Sequence, residues 1–258
     1  MMWLILIFIF GLIIGSFLNC VIWRLYKGES FVSGKSYCPH CRHSLGFWDL
    51  FPVLSYIFLR GKCRYCKGTI SFQYPLIELI TATLFSSVFI YLGSIISLGL
   101  FFWLTIISFL IVIFVFDLKY FIIPDEVIYP AIFLSIAWLL YSFFTGTISS
   151  HEMILSIFSS LGASLFFFLI WFFSKGTAMG FGDVKLALLI GLLLGFPNTI
   201  VALFLGFLLG AIIGSVMILL KKKGLKSEVP FAPFLVAGTI ISFFFGSNIV
   251  SWYLSLTI

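Results

Sequence analysis

Charge is scarce in this chain. Only 9% of its 258 residues are Asp, Glu, Lys or Arg, whereas 62% are apolar and 34 are phenylalanine. That balance excludes an ordinary soluble domain, in which about a quarter of the residues are charged. Also missing are a Walker loop, a dinucleotide fingerprint, a Ser-centred elbow and an HExxH pair. Their absence removes P-loop nucleotide hydrolysis, Rossmann-type redox chemistry, serine hydrolysis on an α/β sheet and zincin-type proteolysis. No internal repeat stands out. Met1-Met2-Trp3 offers no basic start, and no small-residue cleavage site follows, so no cleavable signal peptide is expected.

What is abundant is long apolar runs. Stretches of about 20 residues, enough to cross about 30 Å of hydrocarbon, recur along most of the chain. They predict an all-α polytopic membrane protein with spans near 2–23, 75–93, 98–117, 126–144, 153–174, 183–195, 198–220 and 232–254, about eight transmembrane helices in all. All fifteen Lys and Arg fall in 24–74, 118–125, 175–182 and 221–231 or, as with Lys185, within a turn of one. The intervening loops 94–97, 145–152 and 196–197 and the C-terminal tail hold none. By the positive-inside rule the basic segments are cytoplasmic. The net charge of +6 thus expresses topology, and no nucleic acid is expected as a partner.

Residues 24–74 are the soluble-looking part, which divides the chain into a first transmembrane helix (1–23), a small cytoplasmic insertion (24–74) and a transmembrane core (75–258). The insertion carries Cys38-Pro39-His40-Cys41 and Cys63-Arg64-Tyr65-Cys66, two CxxC pairs separated by 21 residues. Each pair offers two thiolates to one tetrahedral zinc ion, a closed structural site. A pair of disulfides is the competing use of the same cysteines, disfavoured in a reducing cytoplasm. A metal staple has a physical reason here, because about 50 residues bury too little core to fold alone. With four sulfurs present, His40 and His43 are expected outside the ligand set. The eight basic residues of the segment suit anionic lipid headgroups.

Two acids carry the chemistry. Asp117 ends an inward-running span, where its own helix dipole opposes an anion. Asp183 follows Met179-Gly180-Phe181-Gly182 and opens an outward-running one. Both therefore lie at the cytoplasmic boundary. If they meet, like charges cannot both ionise comfortably and the pair holds one shared proton. One carboxylate then accepts a proton from water while its partner donates to a peptide carbonyl, which is metal-free aspartyl peptidase chemistry. Capping is the ordinary alternative for Asp183. Asp125 and Glu126 suit the start of the fourth span, with Asp125 as its N-cap. Asn19 fits packing between helices. Glu78 either caps its helix or lines a pocket. Lys221-Lys222-Lys223-Gly224-Leu225-Lys226 fits a solvated inner loop.

Taken together, Gly15-Ser16-Phe17-Leu18-Asn19, the CxxC pairs, Tyr74-Pro75-Leu76-Ile77-Glu78, Asp117 with Ile123-Pro124-Asp125, and Gly180-Phe181-Gly182-Asp183-Val184-Lys185 occur in the order found in type IV prepilin peptidases. The chain resembles that family from Gly15 to the segment between Pro230 and Phe234. Cys20 is one departure, where an aliphatic residue is more usual. The resemblance implies a GxGD membrane aspartyl protease with Asp117 and Asp183 catalytic, acting at the cytoplasmic face of the bacterial plasma (inner) membrane. It implies removal of a short basic leader from prepilins or pseudopilins. N-methylation of the new N-terminus with S-adenosylmethionine follows, associated with region 15–78. Cys38, Cys41, Cys63 and Cys66 are the implied zinc ligands. No residue is assigned to the methyl donor, since no glycine-rich nucleotide loop is present. From another class, a polytopic cation transporter would use Asp117 and Asp183 as ion ligands, but it predicts acids near the bilayer midplane, whereas these sit at one edge. A non-enzymatic zinc scaffold would need the cysteines alone.

Overall fold

The computed structural model describes residues 1–30, 34–177, 179–220 and 229–256. Among these the chain is helical, without a β-strand. The helices are α1 (Met2–Lys27), α2 (Leu54–Phe58), α3 (Gln73–Tyr91), α4 (Leu98–Tyr120), α5 (Asp125–Phe144), α6 (Ser150–Phe173), α7 (Phe181–Leu194), α8 (Asn198–Leu219) and α9 (Ala232–Ser255), with a 3-10 turn at Phe47–Asp49. Seven of them are long and apolar enough to cross a membrane, and the protein is an all-α multi-pass membrane protein. The eighth expected span, α7, has only 14 residues. The lysine-rich loop at 221–226 lies outside the described residues.

Contacts group the chain into two compact units, Met1–Val112 and Ile113–Ile258. In the first, α3 packs on α1. Small residues make this possible, as they commonly do between helices in lipid. A Cβ on Gly11 would fall 2.5 Å from Ala82 Cα, and one on Gly15 would fall 2.6 Å from Glu78 Cα. Asn19 then joins the two helices. Its amide donates to the carbonyls of Gly15 and Tyr74, and its Oδ1 accepts from Gln73 Nε2. Buried Arg24 donates to the carbonyls of Ser30, Gly34 and Lys35, fixing the chain as it leaves α1.

In the second unit α6 packs on α7 and α8 on α9. Glycine again sets the spacing: a Cβ on Gly191 of α7 would fall 2.2 Å from Ser160 Cα, and one on Gly238 of α9 would fall 2.3 Å from the Ala202 carbonyl. A capping box, with the Glu152 amide donating to Ser149 Oγ at 3.2 Å, starts α6. Asp125 is not the N-cap of α5. Pro124 takes that position in extended conformation, and Asp125, one residue inside the helix, forms a salt bridge with Lys185 of α7.

Candidate active site and metal centre

Asp117 and Asp183 are both buried, 6% and 8% exposed, in helices that the sequence places far apart. Asp117 sits in the last turn of α4, where free backbone carbonyls repel an anion. Its environment is completed from elsewhere. The Ala232 N–H, the first of α9, donates to Asp117 Oδ2 at 3.2 Å, so the acid meets the positive end of another helix. Asp183 lies in the first turn of α7, and its backbone N–H is taken by the Gly180 carbonyl at 3.2 Å. The charge of Asp117 is felt at Asp183, so the two buried acids lie within electrostatic reach of each other.

The glycines before Asp183 have distinct uses. Gly182 faces Ile123 in the connection after α4, and a Cβ on Gly182 would fall 3.0 Å from Ile123 Cβ. This close approach brings the start of α7 against the chain that follows Asp117. Gly180 is the extended residue before α7, and a Cβ there would reach only 4.0 Å from Asp183 Oδ2. Among the described residues nothing crowds its face toward the acid. Beside the pair, Lys185 is bound to Asp125 and lies over the Tyr129 ring at 4.7 Å. It ties α7 to α5, a role with no signature in the sequence beyond two opposite charges near two boundaries.

Glu78, 5% exposed, has partners of its own in the first unit: the Val53 N–H donates to its Oε2 at 2.7 Å, and Ser16 hydrogen-bonds to it. It clamps Val53, the residue that opens α2, and does not cap its own helix.

The four expected cysteines converge. All four Sγ atoms lie within 4.8 Å of one another, with Cys38 and Cys66 Sγ 3.9 Å apart. A tetrahedral ion with metal–sulfur distances of about 2.3 Å sets its sulfurs about 3.8 Å apart, so the cluster is able to hold a metal ion. None of the five cysteines is in a disulfide. His40 and His43 are exposed and outside the cluster.

The two pairs fold as copies of one turn, a repeat too short to see in sequence. The Cys38 N–H donates to the His43 carbonyl and that of Cys63 to the Gly68 carbonyl. Arg42 and Lys67, each just after the second cysteine, both take positive φ, 58° and 59°. The turns meet at the His43 and Tyr65 rings, 3.7 Å between centroids. Asp49 braces the second from outside, accepting from Arg64 Nε at 2.7 Å and Tyr65 Oη at 3.0 Å.

Two buried carboxylates on separate helices of a multi-pass membrane protein, with a four-thiolate cluster on a short insertion, fit a class of membrane-embedded enzyme. Residues 9–92 match the family model described as Bacterial Peptidase A24 N-terminal domain, and residues 104–215 match that of the Type IV leader peptidase family. The chain is 36% identical over 257 residues to a prepilin leader peptidase/N-methyltransferase of Bacillus subtilis, covering 98% of both. It is 31% identical to a protein so named in Aeromonas hydrophila, covering 97% of this chain and 93% of that one. With the protein of that name in Pseudomonas aeruginosa the identity is 29%, over 95% of this chain and 91% of the other. No solved structure matches the chain. The chain belongs to the type IV leader peptidase family.

Proposed function

We propose that the protein is a prepilin leader peptidase and N-methyltransferase in which Asp117 and Asp183 are the catalytic pair. The observation that carries this is the pairing of two buried carboxylates from α4 and α7. Such a pair works with one proton between its members. The ionised acid takes a proton from the attacking water while the protonated one donates to the scissile carbonyl, giving a tetrahedral diol. Collapse of the diol returns a proton to the leaving amine. Gly180 leaves room beside Asp183 for an extended substrate backbone.

The substrates are the leaders of prepilins or pseudopilins, cut at the cytoplasmic face of the bacterial inner membrane. The one-sided distribution of Lys and Arg supports that orientation. Zinc held by Cys38, Cys41, Cys63 and Cys66 is structural, because four thiolates leave no position for substrate. S-adenosylmethionine supplies an electrophilic methyl group for the new N-terminal amine. In the part of the chain associated with methylation, Gln73 Oε1 and Trp23 Nε1 are buried and find no hydrogen-bond partner among the described residues. A free acceptor and a free donor suit the charged amino-acid end of such a donor. The transporter reading finds no support, since no third ligating side chain joins the two aspartates among the described residues.

The test is incubation of purified protein with a prepilin and S-adenosylmethionine, followed by mass measurement of the product N-terminus. Loss of the leader reports cleavage, and a further gain of one methyl group reports transfer. An intact prepilin after incubation with active-site-replete, zinc-loaded protein would refute the proposal.

A further inference from the structure

The insertion between α1 and α3 is apolar on part of its outside. Phe47 and Trp48 are 71% and 74% exposed, and their rings pack edge to face at 5.7 Å. In α2, Leu54, Ile57 and Phe58 share one face by their spacing and are 46%, 60% and 81% exposed. A cluster of large apolar side chains has no reason to face water, and such patches mark a contact with a membrane or a partner.

The depth of this stretch is fixed by Val53. Its N–H is bonded to the Glu78 carboxylate at 2.7 Å, five residues into α3. The helix has 19 residues and so rises about 28 Å, hardly the about 30 Å of hydrocarbon it has to cross. All of α3 is needed for the crossing, so Glu78 lies below the headgroups, about 8 Å from the helix start. Val53 lies there with it. Val53 also takes φ 60°, an uncommon conformation for a β-branched residue, held in place by that bond. One turn on, the Tyr56 ring packs against Phe72, the residue that precedes α3. Exposed Arg60, Lys62 and Lys67 follow the patch directly.

We propose that residues 47–58 form a second membrane contact, in which Phe47, Trp48, Leu54, Ile57 and Phe58 enter the acyl region of the leaflet where α3 begins. Arg60, Lys62 and Lys67 then meet anionic headgroups. The depth set by Glu78 matches the about 5–10 Å at which interfacial elements bury their apolar side. Mixed aromatic and aliphatic side chains on one short helix face suit acyl chains better than they suit stacked bases. The four-cysteine cluster is thereby held flat against the bilayer instead of swinging on its connections. The contact is independent of the catalytic proposal.

An environment-sensitive fluorescent amino acid at position 58 of the full chain, in nanodiscs of phosphatidylcholine and phosphatidylglycerol, tests this contact. A second labelled protein carries it at 48, and a reference protein carries it at exposed position 40. Brominated acyl chains should cause loss of fluorescence at 58 and 48 but not at 40, and aqueous iodide should do the reverse. Iodide quenching at 58 and 48 equal to that at 40 overturns the proposal. Protection of both positions from both quenchers also overturns it, because protein rather than lipid then covers the patch.

Discussion

The Ala232 N–H donates to Asp117 Oδ2 at 3.2 Å, so an acid at the unfavourable end of α4 is held by the favourable end of α9. An asparagine at 117 keeps a carbonyl oxygen for that bond and loses only the ionisable group. Asp117→Asn and Asp183→Asn should therefore fold, with unchanged melting temperature in detergent. Each should lower prepilin cleavage by about 10²–10⁴-fold, the usual contribution of a general acid or base. Densitometry of cut and uncut prepilin measures the loss.

Gly182→Ala tests the approach between Gly182 and Ile123. The added methyl meets Ile123 Cβ at 3.0 Å and pushes the start of α7 from the chain after Asp117. Cleavage should fall through kcat more than through KM, while helix content by circular dichroism is kept. Adding Ile123→Ala makes room and should restore part of the rate. Equal rates in the two single variants and the double variant would contradict this spacing role.

The same substitution has opposite consequences at one position on α7 and one on α6. Gly191→Ala drives a methyl to within 2.2 Å of Ser160 Cα, whereas nothing lies within 4 Å of a Cβ on Gly162. The first should destabilise by about 1–3 kcal/mol, as overpacking does. The second should leave stability unchanged or raise it by up to about 1 kcal/mol. Thermal unfolding of the two purified variants distinguishes them.

Metal removal should act on the insertion before the membrane helices. Chelation, or Cys38→Ser, should release the ion and expose residues 34–72 to protease, with loss of methyl transfer. Elemental analysis beside limited proteolysis reads both effects. A Cys38→Ser protein with full metal content and an unchanged digestion pattern would argue against a structural ion.

Asp49 gives the insertion a dependence on acid. Burial pushes its carboxyl up, but hydrogen bonds from Arg64, the Gly46 N–H and Tyr65 outweigh this and hold it below the usual carboxylate range. A folded pKa below the unfolded value of about 3.9 stabilises above that value and is lost as pH falls through the folded one. The difference in melting temperature between wild type and Asp49→Asn should stay constant from about pH 7 to pH 5 and close below about pH 4.

Apolar runs and basic asymmetry made the helices legible, because crossing a bilayer leaves few alternatives to a long apolar helix. The cysteine spacing made the metal cluster legible, since two such pairs define half a coordination sphere each. Asp117 and Asp183 carried a visible signal as acids at boundaries. Their partners did not: a backbone N–H on Ala232 has no residue code, and Ile123 matters only for where Gly182 lets it approach. The packing of α3 on α1 was hidden for the same reason, as Gly11 and Gly15 are small without saying toward which helix. Residues 47–58 looked soluble because their apolar residues are too few to span, and periodicity over five residues says nothing about depth.

With 14 residues, α7 rises about 21 Å, so it falls short of the hydrocarbon by roughly 9 Å. A helix this short cannot present both ends to headgroups in a lamella of ordinary thickness. Phe181 is its one exposed residue, so neighbouring helices rather than lipid surround it, and water must reach inward to its first turn. The shortfall thus leaves water a way to the end of the helix that carries Asp183, which the proposed hydrolysis requires.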